Sequence, residues 1–417
     1  MRIVINELKK IWNIKIVAII AVLCVLYFMW FMAIHIANYP KYDGSLNIGA
    51  MQIKYAHYLT ERFGSPLEQH ELEEFLQNRH EIIAEINQFI QSRPMFTEYS
   101  VFSYKDFENL LAISSANNTE MRAVEIYTGE SGSTAIIFHS GGSYLDPMIF
   151  ELSHSPAYFR LQVFDGIVQM YNDKNDWIDR LVLSNIAYNA PLRDARIRRL
   201  HEIKESGEHQ NIITPHTLLH TLAYGQRLAI LAILATLILV SQLITTDRAN
   251  KVYWLQYTSR QGRSILKKQL TAILISSIGM TTLLVIISAG IFAITNAQSF
   301  WNNGINSFMG FPLHWLSITY GQYILLIVGT IYLLSMGAAT FAFTLSRFSQ
   351  SKIKLLFKVI PLFLPAIFLS NWVLNDFLSI FAVGNILVQS LVFLLSLIVA
   401  IGFAVFTIIR EKRVELL

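Results

Sequence analysis

Hydropathy along the chain separates long apolar runs from one long mixed interval. A helix that crosses a hydrocarbon core roughly 30 Å thick needs about 20 apolar residues, because its backbone groups must be satisfied internally. Six runs meet or approach that requirement: Ile16–Ala37, Leu228–Thr245, Leu270–Thr295, Gln322–Ser346, Leu355–Ser370 and Ile386–Ile409. The fifth is short, opens with Lys358 in its first turn, and carries Pro361 and Pro365 one turn apart. Two readings stay open there: an ordinary proline kink, or a helix that stops early and lets Asn371–Asn385, with Trp372 and Asp376, dip back into the membrane. In the mixed interval 38–225, Ser65, Pro66 and Glu68 read as N-cap, first-turn proline and capping-box acid. Leu72, Phe75, Leu76, Ile82, Ile83, Ile86, Phe89 and Ile90 then recur at helical spacing up to Pro94. Arg122–Tyr127 and Thr134–Phe138 flank a Gly- and Ser-rich turn and predict a hairpin, and Asp176–Lys204 predicts a further helix.

Composition supports a membrane protein: 53% hydrophobic, 15% charged, mean hydropathy +0.42. The 78 residues from Gln269 to Ser346 contain no Asp, Glu, Lys or Arg. The single cysteine, Cys24, excludes an intramolecular disulfide framework and a Cys-rich metal site. Lys9, Lys10 and Lys15 precede the first run like the basic start of a signal peptide, but the run is long and no small-x-small pattern follows, so it reads as an uncleaved anchor. Orientation follows from charge. Segments 1–15, 246–269, 346–358 and 410–417 hold 17 Lys or Arg against 4 Asp or Glu, and a six-span arrangement puts all four on one side. Positive residues resist translocation, so that side is cytoplasmic. The interval 38–225 holds 15 basic and 24 acidic residues and falls outside.

The expected fold class is therefore membrane all-α, six transmembrane helices with a re-entrant segment before the last, plus an α+β, mainly helical, extracellular domain. The expected organisation is a cytoplasmic amphipathic helix over 1–15, a first span over 16–37, the outside domain over 38–225, and the remaining spans over 226–417. Both termini face the cytoplasm.

Candidate chemistry is sparse. Transporters driven by ion gradients keep ionisable groups at mid-membrane, and these six runs hold essentially none. No GxxxxGK[ST] loop is present, and Gly129–Ser133 and His139–Ser143 lack its lysine. Gly129-Glu130-Ser131-Gly132-Ser133 begins like a nucleophile elbow but ends in Ser, inside the predicted hairpin turn. His216 and His220 stand i, i+4, without the glutamate a zincin needs, and read as interfacial histidines at the entry to the second span. Asn117-Asn118-Thr119 has the form of a glycosylation acceptor. His139, Asp146, Glu151 and His154 are separated residues whose convergence sequence does not decide.

What remains is suited to contacts. Arg2–Lys15 sets Ile3, Leu8, Ile11 and Trp12 against three lysines, as an amphipathic helix on the inner surface does. The loop 246–269 mixes Val252, Trp254, Leu255 and Tyr257 with Arg248, Lys251, Arg260, Arg263, Lys267 and Lys268, as suits a short helix docking into a groove on a cytoplasmic partner. Adsorption of that loop to the membrane surface is the alternative.

Three portions of text resemble the permease subunits of ABC-2 type exporters of Gram-positive bacteria. The opening Glu7-Leu8-Lys9-Lys10 is similar to that family's acid-leucine-basic start. After the second span come Asp247, Thr258-Ser259-Arg260-Gln261-Gly262-Arg263 and Lys267 or Lys268, where the family more often has Glu followed closely by Gly. Arg62-Phe63-Gly64-Ser65-Pro66, Glu71-Leu72-Glu73-Glu74 and Tyr104-Lys105-Asp106-Phe107 resemble phrases from members with a large insertion after the first span. The resemblance implies a multi-pass subunit of the bacterial cell membrane that pairs with a second permease copy, identical or a close paralogue. It also implies a separate cytoplasmic ATP-binding subunit, with ATP and Mg on that partner, no cofactor in this chain, no catalysis by it and no nucleic acid. Asp247, Trp254, Leu255, Tyr257, Arg260, Gly262, Arg263 and Lys267 would form the contact with that partner. The cargo would be amphipathic, an antimicrobial peptide or a lipid, moved outward. Small residues Gly279, Gly290, Ser335 and Ala339 offer close helix approach for pairing. Two rival functions remain, a ligand-sensing receptor component and an integral membrane enzyme with a convergent polar site near the outer surface.

Overall fold

The computed structural model describes residues 2–37, 48–63, 69–117, 126–128, 134–136, 146–187, 192–210, 213, 215–249, 265–308, 313–347, 367–374, 378–380 and 386–413. In chain order the first elements are α1 (Arg2–Ile11), α2 (Ile14–Tyr27), a π turn (Phe28–Met32) and α3 (Ala33–Ala37). Then come α4 (Ile48–Phe63), α5 (Gln69–Gln91), α6 (Pro94–Glu98), α7 (Tyr104–Asn117), β1 (Ile126–Thr128), β2 (Thr134–Ile136), α8 (Asp146–Ser153), α9 (Pro156–Ala187) and α10 (Arg193–Ser206). The chain continues through α11 (Pro215–Ala249), α12 (Ile265–Phe292), α13 (Tyr320–Arg347) and α14 (Ile386–Arg413).

Among the described residues, five helical stretches are long and apolar enough to cross a membrane: Ile14–Ala37, His216–Ser241, Ile265–Thr295, Tyr320–Ser346 and Phe393–Arg410. The protein is a mostly helical, multi-pass membrane protein. Most of the predicted span Leu355–Ser370, with Pro361 and Pro365, lies outside the described residues, and so does Asp376; residues 367–374 are helical.

The chain divides into two compact units. The first comprises Met1–Ile36, Leu218–Ile305 and Pro312–Leu417. Its centre is α11, whose Ala229, Ala232, Ala235 and Leu239 are wholly buried. By contrast α2 is apolar on every side, and Ile19, Val22, Leu26 and Trp30 stay exposed, as a lipid-facing helix requires. Its regular winding gives way at Phe28–Met32 to one wide turn, which carries Met32 fully inside while Met29 and Trp30 remain outside. Some polar residues of the spans bond between helices and others back to their own backbone, as Thr330 does to Leu326 O at 2.9 Å. Ser335 of α13 hydrogen-bonds the hydroxyls of Thr236 on α11 (2.8 Å) and of Ser277 (3.1 Å) and Thr281 (2.8 Å) on α12. Such bonds, together with close packing, hold helices together where lipid gives no hydrophobic drive. Ser335 and Ala339 are therefore buried inside the subunit, and Gly279 lies under the Trp12 ring, so three of the four small residues read as pairing sites serve packing within the chain.

Irregular chain joins α12 to α13. Ile305 N–H donates to Ile318 O (2.9 Å), Tyr320 N–H to Asn303 O (2.8 Å) and Gly321 N–H to Trp301 O (2.9 Å). Gly321 has a steric cause: a β-carbon there would stand 2.3 Å from the Trp301 indole.

The second unit comprises Ala37–Thr217 with Asn306–Phe311. Its core follows the helical periodicity of the sequence: Leu72, Phe75, Ile82, Ile86 and Ile90 of α5 are buried against Leu161, Phe164 and Ile167 of α9. Phe75 and Phe164 stack with ring centroids 4.2 Å apart, and Arg79 grips Asp165 with two bonds of 2.8 and 3.1 Å. β1 and β2 pair antiparallel with Ile126 opposite Ile136, within the predicted hairpin, whose remaining residues lie outside the described ones. The single helix predicted over Asp176–Lys204 is two, since α9 ends at Ala187 and Leu192 precedes α10 in a left-handed conformation with φ 72°. The residues read as a helix cap, 64–68, lie outside the described residues.

Candidate coupling site

α1 is amphipathic because Glu7 and Ile11, one turn apart, face inward while Lys9 reaches outward. It ends at Trp12. Asn13, extended with ψ 133°, caps the next helix by accepting from Lys15 N–H at 2.9 Å. That break lets α1 lie against α12, where the Trp12 indole donates to Ser276 Oγ at 3.2 Å.

The inward face of α1 meets both ends of the loop between α11 and α12. Lys10 Nζ bonds Glu7 Oε1 at 2.9 Å and Asp247 Oδ1 at 3.2 Å. From the opposite side Gln269 Nε2 donates to Asp247 Oδ2 at 2.9 Å and to Glu7 Oε2 at 3.3 Å. Each carboxylate thus gives one oxygen to the ammonium and the other to the amide, closing a four-residue ring. Glu7, Asp247 and Gln269 are buried, which is tolerable because buried charge needs both pairing and further hydrogen bonds. Burial by itself would lower the Lys10 ammonium; the two carboxylates outweigh it and hold the group above its usual value.

Asp247 is in consequence placed differently from the sequence expectation. Instead of being laid out for a partner, it occupies the last turn of α11, turned inward and 5% exposed. Lys267 stands in the first turn of α12 and is exposed. Trp254, Leu255, Tyr257, Arg260, Gly262 and Arg263 lie outside the described residues. Three ring members were invisible to sequence reasoning as site residues. Gln269 is uncharged, and Glu7 and Lys10 were noted only as part of the opening stretch. The available signal was the i, i+3 spacing of Glu7 and Lys10, together with a lone acid in a basic loop.

The helix that carries the second predicted span begins at Pro215, so His216, His220 and Arg227 stand on that same helix ahead of the apolar run that opens at Leu228.

Elsewhere chemistry is thin. Among the described residues no three His, Cys, Asp or Glu side chains are grouped to hold a metal. Glu151 pairs with Arg93 and His154 Nδ1 contacts Phe150 O; His139 and the turn Gly129–Ser133 are outside the described residues. A cavity of about 190 Å³ lies between α11, α12 and α13, walled by Tyr224, Leu228, Val285, Phe292, Trp301 and Ile327. The Tyr224 hydroxyl donates to Ser288 O at 3.0 Å, which leaves an apolar wall suited to hydrocarbon and unsuited to water. Comparison with protein-family profiles, curated proteins and solved structures finds no match for this chain.

Proposed function

We propose that this chain is the membrane-spanning permease subunit of an ATP-driven exporter of the ABC-2 class, acting as one of a pair and drawing its energy from a separate cytoplasmic ATPase. The observation that carries this reading is the ring of Glu7, Lys10, Asp247 and Gln269. It ties the amphipathic helix to both ends of the basic, aromatic loop 250–264. The roots of α11 and α12 are fastened to each other and to a surface helix, so a push delivered between them passes into α11, α12 and the first span.

Several further points belong to the same proposal. The membrane part has six spans with a re-entrant segment, sits in the bacterial cell membrane with both termini in the cytoplasm, and places the acidic interval 38–225 outside. ATP and Mg bind the partner subunit, whose contact is formed by Trp254, Leu255, Tyr257, Arg260, Gly262, Arg263 and Lys267. The apolar cavity supports a cargo with a hydrocarbon portion.

Purification of the full chain from native membranes tests the reading. An ATPase subunit should travel with it, and Arg263→Glu should leave both subunits folded while uncoupling hydrolysis from cargo movement. Uphill transport by the chain alone in liposomes would refute it.

A further inference from the structure

α12 and α13 touch at one level and part at the next. Thr281 Oγ1 donates to Ser335 Oγ at 2.8 Å, and the hydroxyls of Thr282 and Tyr332 share a bond of 2.7 Å. Toward the connection between the two helices, the space between them opens into the cavity of about 190 Å³. Its lining runs from Ile331 to Ile324 on α13 and from Leu228 to Thr221 on α11, in each case about 10 Å at 1.5 Å per residue. Trp301 roofs it, seated over Gly321, where any side chain would displace the indole.

The back and the front of this crevice differ. Tyr224, Leu228, Ile327 and Ile331 are buried and form its back and floor. Ala289 and Ala293 are exposed and Ile324 and Val328 half-buried, so the front stands open between α12 and α13. Both helices are long and apolar enough to cross a membrane, and beside the opening Ile286 and Leu325 are 65% and 60% exposed. What faces the opening is therefore hydrocarbon. Water is a poor occupant, because among the described residues no charged side chain lines the space. Its polar groups are engaged as well: Thr221 bonds the Tyr320 hydroxyl, Tyr224 donates to Ser288 O, and Gln298 donates to Asn296 Oδ1. Emptiness is unfavourable too, since lining atoms without neighbours forfeit their dispersion contacts.

We propose that the crevice is a binding site for one acyl chain of a bilayer lipid. An apolar cavity of about 150 Å³ holds benzene, so by proportion this one takes a chain segment of about seven or eight carbons. Such a segment, extended, matches the run from Trp301 down to Ile331. The tail comes from hydrocarbon and goes to hydrocarbon, so its preference for the site arises from close packing and not from escape from water. Closed ends select a single tail lying along the helices. The inference rests on the membrane character of the chain and not on the permease reading, and a cargo entering the same space has to displace the tail.

The full chain is reconstituted in phosphatidylcholine nanodiscs with a trace of phosphatidylcholine that carries a diazirine along one acyl chain, and adducts are mapped by peptide mass spectrometry after illumination. Tyr224 and Leu228, too buried for surrounding lipid to touch, should take label; Ala232 and Ala235, wholly buried on the same helix outside the lining, should not. Ala289→Phe puts a ring into the open front and should abolish label at Tyr224 and Leu228 while leaving it at Ile286 and Leu325. Ile286→Phe, at an exposed position outside the lining, should leave label at Tyr224 and Leu228 as in wild type. A diazirine fatty acid is used in parallel: labelling of Tyr224 and Leu228 by the free acid alone assigns the site to free acids and overturns the bilayer-lipid assignment. Label confined to exposed positions in wild type, or undiminished at Tyr224 and Leu228 in Ala289→Phe, overturns the proposal. Should Ala289→Phe not fold, the wild-type contrast between Tyr224 and Leu228 and the two alanines decides.

Discussion

Lys10→Met removes one ammonium and keeps the length of the side chain, which isolates the electrostatic part of the ring. Glu7 and Asp247, with side chains only 4% and 7% exposed, then face each other without their shared cation. Stripping one partner from a fully buried ion pair costs about 3–5 kcal/mol, and an exposed pair is worth about 0–1 kcal/mol. The Lys10 side chain is 44% exposed, so water already shares its work, and a loss of about 2 kcal/mol follows from that intermediate position. Equilibrium unfolding of the full chain in mixed micelles, followed by tryptophan fluorescence, measures it. Lys9→Met, on the outward face of α1, should change stability by less than about 0.5 kcal/mol. Adding Glu7→Gln to Lys10→Met should recover about half of the loss, since one carboxylate no longer opposes the other. The sign with pH is also fixed. A lysine held above its ordinary value of 10.5 contributes fully below that pH and loses its contribution as pH rises through the higher folded value. The difference between wild type and Lys10→Met should therefore stay flat from neutral pH to about pH 10 and shrink above it. Equal stability of the two proteins at pH 7, or no recovery by Glu7→Gln, would refute the account of the ring.

Ser335→Ala removes the hydroxyl that joins α11, α12 and α13, and should cost about 1 kcal/mol in the same unfolding assay, with Ser335→Thr a poor substitute because the site is fully enclosed. His314 is buried, and that burial holds its imidazole down to about 3. A depressed value means full stability above the ordinary 6.5 and progressive loss as pH falls from there toward the folded value, about 2 kcal/mol by pH 5. His314→Phe should flatten this acid dependence, read as the slope of unfolding free energy between pH 7 and pH 5.

The spans were legible because hydrocarbon imposes its length on any helix that crosses it, and the periodic apolar residues of α5 were legible because one face had to be covered. The start of α11 was not. Between His216 and Arg227 polar and apolar residues mix, so a hydropathy window begins at Leu228, although nothing in those residues breaks a helix. Asp247 was misplaced for a related reason. An acid among basic residues reads as solvated, and its burial depends on Lys10, 237 positions away, and on Gln269, which carries no charge. Local pattern shows what a segment does alone; the ring exists only where three segments meet. Serine and threonine in the spans were similarly silent, because a hydroxyl pointing at lipid, at its own helix or at Ser335 has the same sequence.

The wide turn at Phe28–Met32 makes the length of the first span adjustable at one place only. A π turn stores a surplus residue without disturbing the phase of the helix on either side. Loss of a residue there restores ordinary winding and leaves His35 aimed where it was. Loss of a residue anywhere else in Ile14–Ala37 turns everything beyond it by about 100°. Evolution can therefore trim this span to a thinner bilayer at its aromatic waist, and nowhere else, without swinging its far end away from α11.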